Sequence, residues 1–243
     1  ALRQAARSSA MCFDVDPEDL RLVPGSPFSY WVSPAIRQIF RDRDAFARDG
    51  RTVRQGLATA DDFRFARCWW EGTISSYGVS WFSMAKGGPF SRYYADLPLV
   101  INWSQDGREM KNFVKAASSK ISSRVQNTEY YFRPGLTWPL RSSRFCPQFL
   151  PAQSIISVRG SGIFGDNLDE FLGVASSSIA DLLLKIMSGR IGHPQFDMGD
   201  IAALPVPDLS IEHAAQCRAL ARRGWALRRS LDASDETSHA FEL

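Results

Sequence analysis

Short apolar runs separated by turn residues occupy the chain from Thr52 to Val158, and this pattern constrains the fold more than any other feature of the sequence. The runs at residues 69–72, 77–84, 97–103, 130–132 and 155–158 have the length and the aromatic or β-branched content of strands. Residues 86–89 (KGGP) and 133–135 (RPG) are typical of loops and turns. The pattern predicts a β-rich middle of the chain.

Apolar residues at steps of three and four predict helices on both sides of this region. Ser33 and Pro34 fit the N-cap and first position of a short helix. Further helices are predicted at residues 111–121, 167–187 (the strongest) and 211–231, the last after a boundary marked by two prolines. We interpret the arginines of that last helix as a solvated or nucleic-acid-facing side. They are Arg218, Arg222, Arg223, Arg228 and Arg229. The expected fold class is α+β, a mixed α/β arrangement in which a β-rich region is followed by helices.

Composition limits the classes of function. The net charge is only +3 over 243 residues, so any attraction for nucleic acid must come from local clustering of charge. Cys12, Cys68, Cys146 and Cys217 form no CxxC pair and have no histidine at ligand spacing, which argues against zinc and favours reduced, buried thiols in a cytoplasmic protein. No apolar run approaches the roughly 20 residues that span a bilayer, so we expect no membrane segment.

Residues 160–165 (GSGIFG) match the GxGxxG pattern of dinucleotide-binding loops, between a predicted strand and a predicted helix. Asp181 follows at about the distance of a ribose-binding carboxylate. Residues 188–192 show no following strand, so the βαβ unit is incomplete. We therefore favour a flexible loop that leads into the helix over a nucleotide site.

Catalytic motifs have little support. Asp96, Glu109 and Lys111 loosely fit the D…ExK pattern of nucleases, in which carboxylates hold Mg²⁺ and the lysine steadies the attacking water. The sequence has no GxSxG hydrolase motif, and it lacks the Asn/Asp-Pro-Pro-Tyr/Phe motif with which adenine amino-methyltransferases grip a flipped base. No S-adenosylmethionine loop is evident either. We expect no catalytic residue and no metal site in this chain, with the Mg²⁺-dependent nuclease kept as an alternative.

Basic, amide and aromatic residues on the predicted loops form the main candidate site. Arginine and lysine neutralise phosphates or read guanine, and glutamine reads adenine. The candidate DNA-binding residues are Arg54, Gln55, Thr59, Lys86, Arg92, Arg124, Gln126, Trp138, Arg141, Arg144, Arg190 and Gln195. Trp138 fits a core position equally well, because most tryptophans are largely buried.

Several segments in a characteristic order add weight to the DNA-binding hypothesis. They are residues 24–31 (PGSPFSYW), 55–65 (QGLATADDFRF), 86–94 (KGGPFSRYY), 100–103 (VINW), 127–132 (NTEYYF), 135–138 (GLTW), 196–201 (FDMGDI) and 236–241 (ETSHAF). Together they resemble the target-recognition and C-terminal region of PglX-type adenine-specific DNA methyltransferases, which serve BREX phage defence and are related to fused restriction–modification enzymes. Ala60 and His239 depart from that family, which usually has glycine and tryptophan at these positions.

The resemblance implies a segment of a larger enzyme. Residues 1–50 would be a connector and short helix leading from a catalytic domain, 51–207 the DNA target-recognition domain, and 208–243 a helical C-terminal segment. The fold would resemble the target-recognition domains of restriction–modification specificity subunits. The parent enzyme would use S-adenosylmethionine to methylate adenine at N6, while this segment would bind double-stranded DNA without a cofactor of its own.

The implied partners beyond DNA are proteins. They include the N-terminal methyltransferase domain of the same protein, other defence-system proteins and an acidic DNA-mimic inhibitor. A protein-interaction module of a defence complex is therefore a further alternative function.

Overall fold

The computed structural model of the chain describes residues 13–48, 50–117, 124–190, 192 and 194–241. The helices run Pro17–Leu20 (α1), Pro34–Asp42 (α2), Asp62–Phe65 (α3), Ser104–Ala117 (α4), Leu168–Ala175 (α5), Ser178–Ser188 (α6), Met198–Ala202 (α7) and Ile211–Asp232 (α8). The strands run Asp44–Ala45 (β1), Thr52–Arg54 (β2), Ala66–Cys68 (β3), Trp81–Ala85 (β4), Leu99–Asn102 (β5), Gly135–Thr137 (β6), Gln148–Leu150 (β7), Ser154–Ile156 (β8), Gly162–Phe164 (β9) and Pro205–Val206 (β10). These elements confirm the predicted α+β class.

Two four-stranded sheets form the β-rich region. Sheet I has the order β2-β9-β6-β7 and is antiparallel, whereas sheet II has the order β3-β5-β4-β8 and contains the parallel pair β4–β8. The chain passes from sheet I to sheet II between β2 and β3 and between β7 and β8, and it returns between β5 and β6 and between β8 and β9. The connecting residues 55–61 and 157–161 therefore lie where the two sheets meet.

Each sheet buries its own apolar cluster. Trp138 and Phe171 belong to the first cluster, which sheet I shares with α5, α6 and α7, and Ile101 belongs to the second, on sheet II. Strand β9 contributes to both, with Ile163 in the first and Phe164 in the second, because successive side chains of a strand point to opposite faces. Burial of each large apolar side chain stabilises the fold by about 1.5–3 kcal/mol.

The helix predicted over residues 167–187 is two helices, α5 and α6, bent by 77°. The Ser177 side-chain oxygen accepts a 3.1 Å hydrogen bond from the Ala180 amide and caps α6. The apolar period continues across the break because both helices pack on the first cluster. Among the described residues no single helix is long and apolar enough to cross a membrane; only this bent pair reaches that length and composition.

Strand predictions succeeded for three of the five runs and failed for two aromatic ones. Residues 97–103 and 155–158 contain β5 and part of β8, and residues 77–84 contain most of β4. Residues 69–71 instead form a 3₁₀ turn in which the Glu71 carboxylate accepts a 2.6 Å hydrogen bond from the Cys68 amide. Residues 128–130 also form a 3₁₀ turn, and the aromatic run there reflects burial of Tyr131 at 4% exposure.

The other helix predictions agree with the structure within the described residues. Helix α2 begins at Pro34 and α8 at Ile211, as expected, and α4 covers the predicted segment as far as Ala117. Residues 118–121 of that prediction lie outside the described part of the chain. The domain boundaries after residues 50 and 207 stay predictions, and the β1–β10 pair and the packing of α5 on α8 cross them.

The glycine-rich segment is a strand, which corrects the expectation of a flexible loop. Strand β9 pairs with β2 on one edge and with β6 on the other, so its backbone groups serve the sheet. A Cβ on Gly160 would lie 2.4 Å from the Ala85 carbonyl carbon, and therefore glycine is needed for close backbone approach. This use of the backbone leaves no phosphate-binding loop at residues 162–164.

Candidate nucleic-acid interface

Three adjoining depressions form one groove on the surface where the sheets meet. Lys86 and Arg159 line both the first and the second depression, and Arg141 lines both the second and the third. We call this surface the cationic groove and define it by Thr59, Asp62, Lys86, Arg141, Arg159, Arg190 and Gln195. The sequence prediction therefore placed five of these seven residues at the candidate site, and it missed Asp62 and Arg159.

The charge of the groove is positive. The described lining residues include four cations (Lys86, Arg141, Arg159 and Arg190) against one carboxylate, that of Asp62. Clustered charge of one sign in a concave surface attracts an oppositely charged polymer more strongly than the net charge of the whole chain would. The groove therefore shows the local clustering of positive charge that a chain of low net charge needs in order to attract nucleic acid.

Lys86 is held in place by Asp62. The lysine ammonium forms an ion pair with one Asp62 carboxylate oxygen, and the Thr59 hydroxyl donates a hydrogen bond to the other. Burial acts to raise the pKa of Asp62, but the hydrogen bonds from Lys86 and Thr59 and the charges of Lys86 and Arg159 outweigh it and lower this pKa. Asp62 therefore stays ionised near neutral pH and orients the lysine.

Ser157 joins the Lys86 and Arg159 loops. Its hydroxyl, on a side chain only 3% exposed, donates a 2.6 Å hydrogen bond to the Ala85 carbonyl. The same oxygen accepts hydrogen bonds from the Arg159 and Gly160 amides at 3.3 and 3.2 Å. Arg159 went unnoticed in the sequence, although an arginine between a predicted strand and a glycine-rich segment is a usable signal.

A pair of predicted residues lines the far end of the groove. Arg141 and Gln195 form an isolated antiparallel bridge, and the Arg141 Nε donates to the Gln195 side-chain oxygen at 3.2 Å. The Gln195 amide nitrogen donates in turn to Asp197 at 2.8 Å. Arg190 lines the same depression and is exposed.

A second group of predicted residues supports the wall of the groove at Ala58. The Ala58 amide donates a 2.8 Å hydrogen bond to the carbonyl of exposed Arg124. The Gln126 amide nitrogen donates to the Gln55 side-chain oxygen at 3.1 Å and to the Gly56 carbonyl at 3.0 Å. The Arg54 guanidinium lies over the Tyr130 ring at 5.3 Å. Gln126 therefore holds the loop that leads into the groove.

Three further predicted residues neither line the groove nor belong to the group at Ala58. Trp138 is 1% exposed and its indole N–H donates a 2.9 Å hydrogen bond to the Phe196 carbonyl, so its assignment to the DNA-binding set is wrong and it is a core residue. Arg144 pairs with Asp181 at 3.5 Å. The half-buried Arg92 lies 5.8 Å from the centre of the Phe90 ring. The internal contacts of Arg92 and Arg144 do not place them at the candidate surface.

The nuclease alternative is contradicted by the geometry. Each of its three residues forms an ion pair with a different partner. Asp96 pairs with His239 at 3.0 Å, Glu109 with Arg64 at 2.8 Å and Lys111 with Asp106 at 2.6 Å. No group of three or more histidine, cysteine, aspartate or glutamate side chains among the described residues is arranged to hold a metal ion.

Three cysteines are described, and all are free thiols. Burial raises the pKa of the Cys146 thiol, while Cys68 and Cys217 are only half-buried, so the expectation of burial holds for one of the three. Cys12 and His193 lie outside the described residues.

The arginines of α8 are used more internally than the sequence suggested. Arg218 pairs with Glu170 at 3.0 Å and Arg222 with Asp169 at 2.7 Å, so both fasten α8 to α5. Arg228 pairs with Asp232 at 3.2 Å. Arg222 nevertheless has 74% of its side chain exposed, which agrees with a solvated side, whereas Arg218 and Arg228 are half-buried.

Comparison with curated proteins relates the chain to adenine-specific methyltransferases. It is 25% identical over 191 residues to the adenine-specific methyltransferase PglX of Lacticaseibacillus casei (strain Zhang), covering 70% of this chain and 16% of that protein. It is 28% identical over 204 residues to the adenine-specific methyltransferase BrxX of Escherichia coli O9:H4 (strain HS), covering 77% of this chain and 16% of that protein. The chain thus matches only a small part of these relatives' length. No family model matches the chain.

Proposed function

We propose that this chain is the double-stranded DNA target-recognition module of an adenine-N6 DNA methyltransferase of BREX-type phage defence. The observation that carries the proposal is the cationic groove, in which loops far apart in sequence bring four cations together. The relation to PglX and BrxX supports adenine methylation as the activity that the module serves.

The groove offers the two kinds of contact that a sequence-reading protein needs. Duplex DNA carries one negative charge about every 1.7 Å along its axis, so clustered cations bind it independently of sequence. Lys86 and Arg159, held together through Ser157, are proposed to contact phosphates and set the register. Arg190, which is exposed in the groove, is proposed to face a base edge, where a guanidinium reads guanine.

The chemistry of methyl transfer would belong to other parts of the parent enzyme. S-adenosylmethionine is the cofactor implied by that activity, and the best glycine-rich candidate for its loop, β9, does not fit it, because both edges of this strand are paired. Enzymes that modify a base in a duplex must extrude it from the stack. The module would hold the duplex while the extruded adenine enters another domain.

The salt dependence of DNA binding tests the proposal. The triple variant Lys86→Ala/Arg141→Ala/Arg159→Ala should flatten the slope of log Kd against log salt by about 0.9 for each lost phosphate contact. A matched control, Arg21→Ala/Arg41→Ala/Arg43→Ala, removes the same charge from exposed arginines outside the groove. Equal slopes for the two triple variants would refute the groove as the binding surface.

An acidic DNA-mimic inhibitor is a proposed further ligand of the same surface. Its carboxylates would pair with the cations that bind phosphate, so it should displace DNA competitively. In a titration of the labelled duplex, the groove triple variant should have a lower affinity for both DNA and the inhibitor. A lower affinity for DNA alone would assign the inhibitor to another site.

A further inference from the structure

Phe63 is exposed to an unusual degree for an aromatic residue. Its side chain is 94% exposed, although it lies between Asp62 of the groove and Arg64 in helix α3. Phe63 lines a shallow depression that also includes Asp62 and Lys86, so it stands at the edge of the cationic groove. Single exposed apolar side chains are common on proteins, so the position and support of Phe63 are more informative than its exposure alone.

The backbone around Phe63 is held on both sides. Asp62 is bound by Thr59 and Lys86, and Arg64 donates to the Glu109 carboxylate at 3.0 and 2.8 Å. Phe65, two residues on, is 1% exposed in the second apolar cluster. A side chain on such a support loses little backbone freedom when it binds, which favours affinity.

Charged side chains of both signs line the depression at the exposed ring. They are Lys86 and Arg67 with the carboxylates of Asp62 and Glu71, and Arg67 donates a hydrogen bond to the Phe63 carbonyl. Lys86 lines both this depression and the cationic groove, so the ring lies beside the surface proposed to bind the duplex.

We propose, on the basis of the proposed function, that Phe63 is a wedge residue that inserts between adjacent base pairs of the bound duplex. Apolar side chains that enter a base step unstack it partly and kink the helix, at a cost recovered by contacts that the bent DNA makes. Unstacking next to the groove would lower the energy needed to extrude a nearby base. Phe63 would then be a positioning residue for base extrusion.

Base unstacking measures this role directly. Duplexes that this chain selects from a random-sequence library would carry 2-aminopurine at successive steps, since its fluorescence rises when stacking is lost. The wild-type chain should raise the fluorescence at one or two adjacent steps. Phe63→Ala should abolish the rise and weaken binding by about 5- to 20-fold, whereas Phe63→Leu should keep part of both, because leucine also acts as a wedge.

Phe28→Ala is the matched control, because Phe28 is 85% exposed and does not line the groove. It should leave the fluorescence and the affinity unchanged. Thermal unfolding of Phe63→Ala should match that of the wild type, since the side chain makes few contacts in the fold.

The outcomes separate the wedge from the proposed function. Binding without a fluorescence rise, or a rise that Phe63→Ala retains, would overturn the wedge and leave DNA recognition standing. Failure of the wild-type chain to bind any duplex would reject DNA recognition and the wedge together, and would favour a protein partner at Phe63.

Discussion

The Ser157 hydroxyl donates a 2.6 Å hydrogen bond to the carbonyl of Ala85, the residue directly before Lys86. Because the same oxygen accepts from the Arg159 amide, one buried side chain sets the positions of two cations of the groove. The groove therefore depends on an internal polar contact as well as on its surface charges.

Ser157→Ala should destabilise the chain by about 1–3 kcal/mol, because it leaves the buried Ala85 carbonyl and two amide groups without this partner. DNA affinity should fall with it, since Lys86 and Arg159 lose their common support. Urea unfolding and a DNA titration measure the two effects. Ser154→Ala is the control: that hydroxyl is buried without a hydrogen-bond partner among the described residues, so its loss should cost little. Equal losses for the two variants would contradict the role of Ser157.

Ala60→Gly should stabilise the chain by about 0.5–1 kcal/mol. Ala60 has φ of 62°, a left-handed conformation that costs an L-residue about 1–2 kcal/mol and glycine almost nothing. The greater freedom of glycine in the unfolded chain offsets part of this gain. Chemical denaturation measures the difference, with Ala58→Gly, which lies outside the left-handed region, expected to destabilise. A destabilised Ala60→Gly variant would show that the strain is not relieved by glycine.

Asp62→Asn should change both pH dependence and DNA binding. The pKa of Asp62 is lowered in the folded chain, so its ionisation stabilises the fold above the unfolded carboxyl pKa of about 3.9, and the effect is lost as pH falls through the folded value. Since Asp62 is about half exposed, the advantage over Asn at neutral pH should be below about 1 kcal/mol. Unfolding measured from pH 7 to pH 3 should show the two proteins converging in acid.

Asp62→Asn should steepen the salt slope of DNA binding by up to about one phosphate contact, because the Asp62 carboxylate competes with phosphate for the Lys86 ammonium in the wild type. Asp61→Asn is the neighbouring control, because Asp61 accepts from the Arg64 amide at 3.1 Å and does not line the groove. An identical slope in Asp62→Asn and wild type would mean that the ion pair does not compete with phosphate.

Trp138→Phe should destabilise the chain by about 1–3 kcal/mol without changing the salt slope. The substitution removes the indole N–H and leaves the Phe196 carbonyl without its 2.9 Å hydrogen bond. Thermal unfolding measures the first effect and a DNA titration at several salt concentrations the second. A changed slope with unchanged stability would return Trp138 to the DNA-binding set.

Local pattern was enough for much of the secondary structure. The apolar period and the caps identify α2 and α8, and β-branched runs identify β5 and β8. The strand predicted at Tyr130 was wrong because aromatic residues are common both in strands and at buried positions outside strands. The spacing of apolar residues alone does not distinguish the two. The 77° bend between α5 and α6, at serines 176–178, was not predicted because the apolar faces of both helices pack on the same core.

The sequence predicted the types of residue in the candidate site but only some of the individual residues. Lys86, Arg141, Arg190 and Gln195 were found because basic and amide residues on loops are visible in a sequence. Arg159 was missed although its place between a predicted strand and a glycine-rich segment is a usable signal. Trp138 was misplaced because the local sequence does not distinguish a tryptophan on a groove from one in a core. That distinction depends on which loops the sheet register brings together.

Composition, periodicity and turn chemistry therefore established an α+β chain whose charge had to be clustered to attract DNA, because these properties are encoded within short stretches of residues. The cationic groove itself arises from contacts such as Ser157 to Ala85 and Arg141 to Gln195, which join segments that are distant along the chain. Such contacts follow from strand pairing and core packing over the whole fold. For that reason the tertiary structure, rather than any local pattern, determines which cations lie together in the groove.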